Sequence, residues 1–506
     1  MRTLSPEDEL LVNGSPGQHR FLWMLLPCAV VLVLAAWLRG AEYDEQYTLF
    51  LTAGVPRPDW PLGVFPAGLA RDLQSGTASM AAIARDLRTS DVHPPLYFWL
   101  VAAWRAAFGH DLFVARLLSV ACGLGSLALT GWIARLARLP PAWAMVLTLG
   151  CYGFTYISVV ARGFALAQLL LLGGVACLLT GRRPWWFALA GALLGAATLT
   201  NYLAVFASMA CLAGFCLTTD WRGAAIRRPL AASGGFLIFI PADLWWFLAQ
   251  RGSRQGQFPP FSLGGSLARL AIRFSGDILG GLPLYVRGAA SVALTMGLGL
   301  LLIWLVSRVA WRWREIGTPR ARIMFGLAAL APPAGLLVLG ALFNSTPIEI
   351  RYLTFANPFV GLLLAGALGF RGGAVLLCVQ AASIAGLMLA PQTMQPARAA
   401  ARAAAALAGD GVVLLPEGND GVGVVGGFAI EAPPALPLLL VRRDETARQI
   451  RARIGGWRRV VLALLEQDDA SRAESAAMRR ALTDPGWREV ARGPNVAVYE
   501  RSGGHE

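Results

Sequence analysis

The sequence predicts an α-helical polytopic membrane protein with about eleven transmembrane helices, interfacial helices in its first external loop and a small C-terminal α/β domain. Three observations carry that class. Of 506 residues, 56% are hydrophobic and only 15% are charged, against about 25% charged in a soluble domain. The mean hydropathy is +0.55. Apolar runs of spanning length recur between residues 21 and 390, and about 20 helical residues at a 1.5 Å rise cross a hydrocarbon core of about 30 Å.

The net charge of +14 comes from 44 basic residues, all of them arginine. No basic cluster is interleaved with aromatics outside the membrane-flanking loops, which argues against nucleic acid as a partner. The seven cysteines (Cys28, Cys122, Cys151, Cys177, Cys211, Cys216 and Cys378) all fall in apolar runs. They read as small apolar fillers rather than a disulfide framework or a zinc site.

In chain order, residues 1–20 form a polar tail with Arg2, His19 and Arg20, cytoplasmic by the positive-inside rule. Residues 21–38 are a retained first span, because no small-residue cleavage site follows the apolar run. Residues 39–112 are then a first external, periplasmic loop. It opens with AEYDEQYTLF, which puts Asp44 and Glu45 where the chain leaves the membrane. Val55 to Pro66 is too proline-rich for regular helix. Residues 68–88 alternate apolar and charged positions as an interfacial helix does. Residues 95–108, led by Pro94 and Pro95 and rich in Trp, Tyr and Phe, read as a second interfacial helix.

Further spans are expected at 113–134, 143–160, 164–181, 184–200, 203–219, 230–248, 285–307, 323–342, 353–369 and 373–390. Arginines concentrate in alternate short connections: Arg135 and Arg138, Arg182 and Arg183, Arg222 with Arg227 and Arg228, and Arg308 to Arg322. These then share the side of the N-terminus. A spanning 95–108 would invert that pattern, which favours the interfacial assignment. Residues 249–284 read as a second external loop holding Arg251, Arg254, Arg269 and Arg273. Residues 391–506 change character. An Ala/Arg-rich link (397–408) leads to strands at 412–415, 436–441, 460–465 and 496–499, with helices at 444–453 and 471–482 between them. This unit contains no P-loop, GxGxxG or catalytic triad, and an odd number of spans places it in the periplasm.

Asp44, Glu45, Asp91, His93, Arg162, Asn201, Tyr202, Arg351 and Tyr352 come from separate connections on one side of the membrane. Singly, an arginine there can simply snorkel to headgroups. Jointly, such groups can build a cavity in a helical membrane enzyme. Paired carboxylates against an apolar wall can tune each other, bind a metal or take a proton from a hydroxyl.

The segments YDEQYT, HPPLYF, SVVARGFAL (158–166), Thr200-Asn201-Tyr202 and RYL (351–353) together resemble the polytopic glycosyltransferases of the C-type (GT-C) fold. The resemblance covers roughly residues 20–390. It is nearest to the bacterial branch of the protein mannosyltransferase family (family 39), related to the aminoarabinose transferases acting on lipid A. It implies a domain over 21–390 that takes a sugar from a polyprenyl-phosphate carrier. The acceptor would be a lipid, glycan or protein hydroxyl at the periplasmic face of a bacterial inner membrane. Asp44 matches the catalytic carboxylate and Glu45 its neighbour. His93, Arg162, Tyr202, Arg351 and Tyr352 fall on substrate- and phosphate-binding positions; apart from the resemblance, the need for cations at a leaving phosphate makes Arg254 or Arg251 a third arginine candidate beside Arg351 and Arg162. The family pattern SQEARMYAL has Val160 and Phe164 here in place of its Glu and Tyr. A divalent cation, Mg2+ or Mn2+, is therefore left open, with Asp44 or Glu45 as its ligand.

The chemistry stands beside the resemblance. Inverting transfer needs a base for the acceptor proton, which Asp44 can supply. It also needs cations for the leaving phosphate, and arginine matches phosphate oxygens bidentately. The alternatives are a secondary transporter, which would show repeated halves and mid-membrane ionisable groups, Asp243 being the nearest, and a non-catalytic scaffold.

Overall fold

The computed structural model describes residues 20–250, 258–390, 396–483 and 486–502. The expected cytoplasmic tail, apart from Arg20, and the phosphate-ligand candidates Arg251 and Arg254 lie outside them. Among the described residues, seven helices are long and apolar enough to cross a membrane: Phe21–Leu38, Leu112–Leu136, Gly223–Gln250, Ala289–Trp311, Pro319–Phe343, Ile350–Ala367 and Phe370–Leu389. Shorter apolar helices at Pro141–Gly150, Phe164–Thr180, Pro184–Thr198 and Ala204–Leu217 stand where the remaining spans were expected. Several start on proline, whose missing N–H is lost in the first turn anyway. One apolar core joins these helices. Their outward faces expose Leu26, Val30, Leu300, Ile303 and Val338, as a lipid-facing surface does.

Two expectations change. The span at 143–160 is broken at Cys151, whose backbone is extended (φ −59°, ψ 117°), and resumes as Tyr152–Ser158. Glycines frame the break because other side chains fill their space: a Cβ on Gly150 would overlap Gln380 Oε1, and one on Gly153 would overlap Asp277 Oδ1. The second external loop contains a helix, Leu263–Leu279, whose end buries Asp277, Ile278 and Leu279. Its three glycines and two arginines concealed the helical spacing. Asp277 accepts a hydrogen bond from Asn357 Nδ2 at 3.1 Å.

In the first loop, helix Tyr43–Ala53 (the acidic helix) ends on Gly54 at φ 89°, a left-handed cap that glycine adopts without steric cost. The expected interfacial helix at 68–88 is two helices, Leu69–Gln74 and Met80–Ser90, the second capped by the Ser79 hydroxyl. Leu96–Phe108 follows the two prolines. Arg105 is buried and ties three of these pieces together: it donates to Leu49 O at 3.0 Å, Gln74 O at 2.5 Å, His110 O at 3.1 Å and the Thr52 hydroxyl.

The C-terminal unit is a mixed sheet of β1 (Phe65–Pro66), β2 (Val412–Pro416), β3 (Pro437–Val441), β4 (Arg459–Ala463), β5 (Trp487–Gly493) and β6 (Val496–Arg501), in the order β1-β3-β2-β4-β6-β5. Strands β3, β2 and β4 are parallel; the rest pair antiparallel. Alternate residues face two helical layers. Val413, Leu415, Leu438 and Val461 meet Ala397–Ala408 and Gly423–Glu431. Val412, Leu414, Leu439 and Val460 meet Ala447–Ile454 and Asp469–Leu482. The expected link at 397–408 is thus a helix, with Ala400, Ala401, Ala404 and Ala408 buried against the sheet. The first loop supplies edge strand β1, and Phe50, Trp60 and Phe65 join the same core, so the unit expected over 391–506 is completed by residues far from it in sequence.

Replacing Arg105 with Ala removes four hydrogen bonds, three of them to backbone carbonyls. The expected cost is on the order of 3 kcal/mol, read as a lowered unfolding midpoint of the detergent-purified chain.

Candidate active site

The site is built on the first turn of the acidic helix. Glu42 and Glu45 form a capping box there, with the Glu42 N–H donating to Glu45 Oε2 at 3.0 Å. Acidic residues at that end suit the helix dipole. Successive side chains leave the helix about 100° apart, so neighbours serve different partners.

Asp44 forms an ion pair with Arg351. Their side chains are 21% and 27% exposed, so the pair can be reached by a substrate. Arg351 precedes Tyr352, and its guanidinium lies 5.3 Å from that ring's centroid. The convergence expected of Asp44 and Arg351 is therefore present.

Glu45 points the other way and has no exposed surface. Arg116 Nε donates to its Oε1 at 2.7 Å and Nη2 to its Oε2 at 2.6 Å, while the Ala161 N–H donates to Oε1 at 2.9 Å. Arg116 also donates to the carbonyls of Ala36, Arg39 and Gly40, at the end of the first span. Burial works against the Glu45 charge, but the Arg116 guanidinium outweighs it and holds the carboxyl below the usual range. The catalytic or metal-ligand role was expected of Glu45; both of its oxygens are engaged and shielded from solvent.

Arg162, expected among the phosphate-binding residues, is engaged likewise. It is buried, and its Nη1 donates to Asp91 Oδ2 at 2.9 Å. Asp91 Oδ1 lies 2.7 Å from His93 Nδ1, and Arg162 Nη2 lies 3.1 Å from the same nitrogen. Arg162 therefore spends its charge on Asp91 and fixes His93, rather than presenting a guanidinium to a ligand. Nδ1 is so engaged, and the ring stands in the wall of a cavity.

His93, Tyr202 and Tyr352 line a cavity of about 500 Å³. Its other walls include Phe206, Phe247, Leu336 and Phe343, with Asn201, Asp243 and Gln250 as polar points. The Tyr202 hydroxyl donates to Gln250 Oε1 at 2.8 Å, and Gln250 Nε2 donates to Leu87 O and His93 O. The cavity is an apolar slot whose polar wall holds His93 and Tyr352, with the Asp44–Arg351 pair adjoining Tyr352.

The sequence reading missed Arg116. A lone arginine inside an apolar run is its signal, since such a charge needs a buried partner. It also missed the cluster beside it, where Arg39 Nη2 donates to Glu42 Oε2 at 2.5 Å and the Tyr156 hydroxyl donates to Glu42. Among the described residues, no three His, Cys, Asp or Glu side chains gather into a metal cluster. The donors at hand do not fit a cation between Asp44 and Glu45: the first faces Arg351 and the second Arg116.

No protein-family model matches the sequence, and no curated protein matches it. Solved structures do share its fold. ArnT from Cupriavidus metallidurans bound to undecaprenyl phosphate superposes with a TM-score of 0.52 at 13% identity, over 95% of this chain and 98% of that one. Its apo form gives 0.52 at 14% identity, over 96% and 98%. The Archaeoglobus fulgidus oligosaccharyltransferase gives 0.41 at 11% identity, over 93% and 73%. The chain has the GT-C fold of polytopic membrane glycosyltransferases.

The Glu45 geometry predicts an acid-sensitive structure. A depressed carboxyl contributes stability that is present above its unfolded value of about 4.3 and lost as the pH falls through its lower folded value. Unfolding midpoints measured below about pH 4.3 should drop for the wild type, and Glu45→Gln should flatten that part of the profile. Arg116→Ala strands a buried charge and should cost about 3–5 kcal/mol at neutral pH in the same assay.

Proposed function

We propose that this protein is a membrane glycosyltransferase that moves a sugar from a polyprenyl-phosphate carrier to an acceptor hydroxyl. The observation that carries the reading is the reachable Asp44–Arg351 pair beside an apolar cavity. A base and a phosphate-binding cation thus stand together next to a slot suited to an isoprenoid. The ArnT structure with undecaprenyl phosphate shares this fold, which supports a polyprenyl phosphate as the carrier.

In the resting site, Arg351 and Asp44 neutralise each other. A carrier phosphate entering beside Tyr352 competes for the guanidinium, and phosphate is a bidentate partner for it. That competition frees the Asp44 carboxylate for the acceptor. The acceptor oxygen attacks the anomeric carbon as the bond from that carbon to the phosphate oxygen breaks. The bonding pair leaves with the phosphate, where Arg351 and the His93 ring stabilise it, and Asp44 takes the acceptor proton. The products are a glycoside and the free polyprenyl phosphate. Tyr202 and Tyr352 shape the slot and exclude water from the reacting atoms. Glu45 and Arg162 hold the helix and the imidazole in place.

The acceptor class is a lipid, a glycan or a protein hydroxyl. The reaction face is the periplasmic side of a bacterial inner membrane, with the N-terminus cytoplasmic and the C-terminal unit periplasmic. The arginine-rich connections on the opposite side support that orientation.

Purified protein incubated with polyprenyl-phosphate-linked sugars should release polyprenyl phosphate, followed by mass spectrometry. Asp44→Asn should lower turnover about 10²–10⁴-fold with the fold intact; full activity would remove Asp44 from the mechanism. Arg351→Ala should raise the KM for the lipid donor more than it lowers kcat, and an unchanged donor dependence would count against its phosphate role.

A further inference from the structure

We propose that Asp420 and Asp468 of the C-terminal unit are positioning residues that set where the acidic helix holds Asp44. The inference rests on the transferase reading above and deepens it, by making the soluble unit part of the catalytic geometry.

The contacts are specific. The Tyr47 hydroxyl donates to Asp420, 3.0 and 2.9 Å from its two oxygens. The Tyr43 hydroxyl donates to Asp468 Oδ2 at 3.2 Å, and the two hydroxyls lie 3.1 Å apart. Positions i and i+4 share one helix face, so Tyr43 and Tyr47 present a two-point grip, with Asp44 one step around from the first point.

The acceptors are themselves fixed. Asp468 Oδ1 receives the Ser471 N–H at 2.7 Å and caps helix Asp469–Leu482, while its Oδ2 also receives the Asn419 N–H at 3.2 Å. Asp420 Oδ1 receives the Val422 N–H at 3.2 Å. Helix Gly423–Glu431 meets the acidic helix at glycines. A Cβ on Gly423 would overlap the Tyr43 ring, and one on Gly426 would lie 2.8 Å from Gln46 Oε1. The approach is too close to be a loose association.

Docking alone does not need these bonds. The β1–β3 pairing, the Trp60 indole donating to Gly421 O at 2.7 Å, the Arg71 contacts with Ile430 O and Ala432 O, and the Ala41 N–H donating to Glu431 Oε1 at 2.6 Å already tie the loop to the unit. The phenol–carboxylate bonds add a hold on the one turn that carries Asp44. Displacing a reacting group by about 1 Å can cost about 100-fold in rate, so a grip at that turn acts on catalysis more than on assembly.

The test uses the full-length purified protein with Tyr43 and Tyr47 both changed to Phe, and separately Asp420→Ala and Asp420→Asn. The Phe changes remove the hydroxyls and keep the rings. Transfer should show kcat reduced about tenfold in the double-Phe and Asp420→Ala proteins, with the donor KM within about twofold of wild type. Asp420→Asn, which keeps an acceptor oxygen, should recover most of the rate. Hydrogen exchange of the amides in Tyr43–Ala53 should accelerate in the impaired proteins, while the transmembrane peptides stay unchanged. Unchanged kcat and unchanged exchange in the double-Phe protein would overturn the proposal, as would exchange that rises everywhere with a falling unfolding midpoint. A wild-type protein that transfers no sugar would sink the transferase reading. The exchange result would still decide whether the two carboxylates hold the helix.

Discussion

Most of what is distinctive here depends on one buried ion pair. Glu45 and Arg116 meet with no access to water, and Arg116 also takes up three carbonyls where the first span ends. A buried pair is poor evidence for net stability, because two charges must be desolvated to form it. It is good evidence for geometry, since few arrangements satisfy so many groups at once. The pair joins the end of one membrane helix, the middle of an apolar run and the first turn of the acidic helix. The outward direction of Asp44 follows from that junction.

The same chemistry is used twice with opposite results. Arg162 and Asp91 are sealed together, and their product is a fixed imidazole facing a cavity. Arg351 and Asp44 are left partly open, so their attraction can be exchanged for that of a ligand. Burial, more than residue type, separates support from chemistry. An arginine spent on a neighbouring carboxylate in a dry interior is not available to a phosphate, whereas one at the water's edge is.

That distinction also marks how far the sequence could be read. The apolar runs located the helices, because length and hydropathy alone decide them. The meeting of Asp44 and Arg351 was legible because both lay on one side of the membrane by the arginine pattern. The partners of Glu45 and Arg162 were not legible because the pattern does not pair them: Arg116 within an apolar run, and Asp91 across the first loop. The break at Cys151 was hidden because the side chains that pack against its flanking glycines, those of Asp277 and Gln380, lie far along the chain. Helix Leu263–Leu279 and the two-residue strand β1 carry too little local signal. Both owe their place to what they pack against.

Strand β1 has a consequence in time. Phe65 pairs with Leu438, and Tyr43 and Tyr47 bond to Asp468 and Asp420, carboxylates equally remote along the chain. Synthesis proceeds from the N-terminus and domains fold as they emerge. The acidic helix therefore leaves the ribosome long before its soluble neighbours exist. The acidic helix gains its soluble neighbours last although it is made almost first, and a nascent chain halted in the membrane would lack the surfaces that close over it.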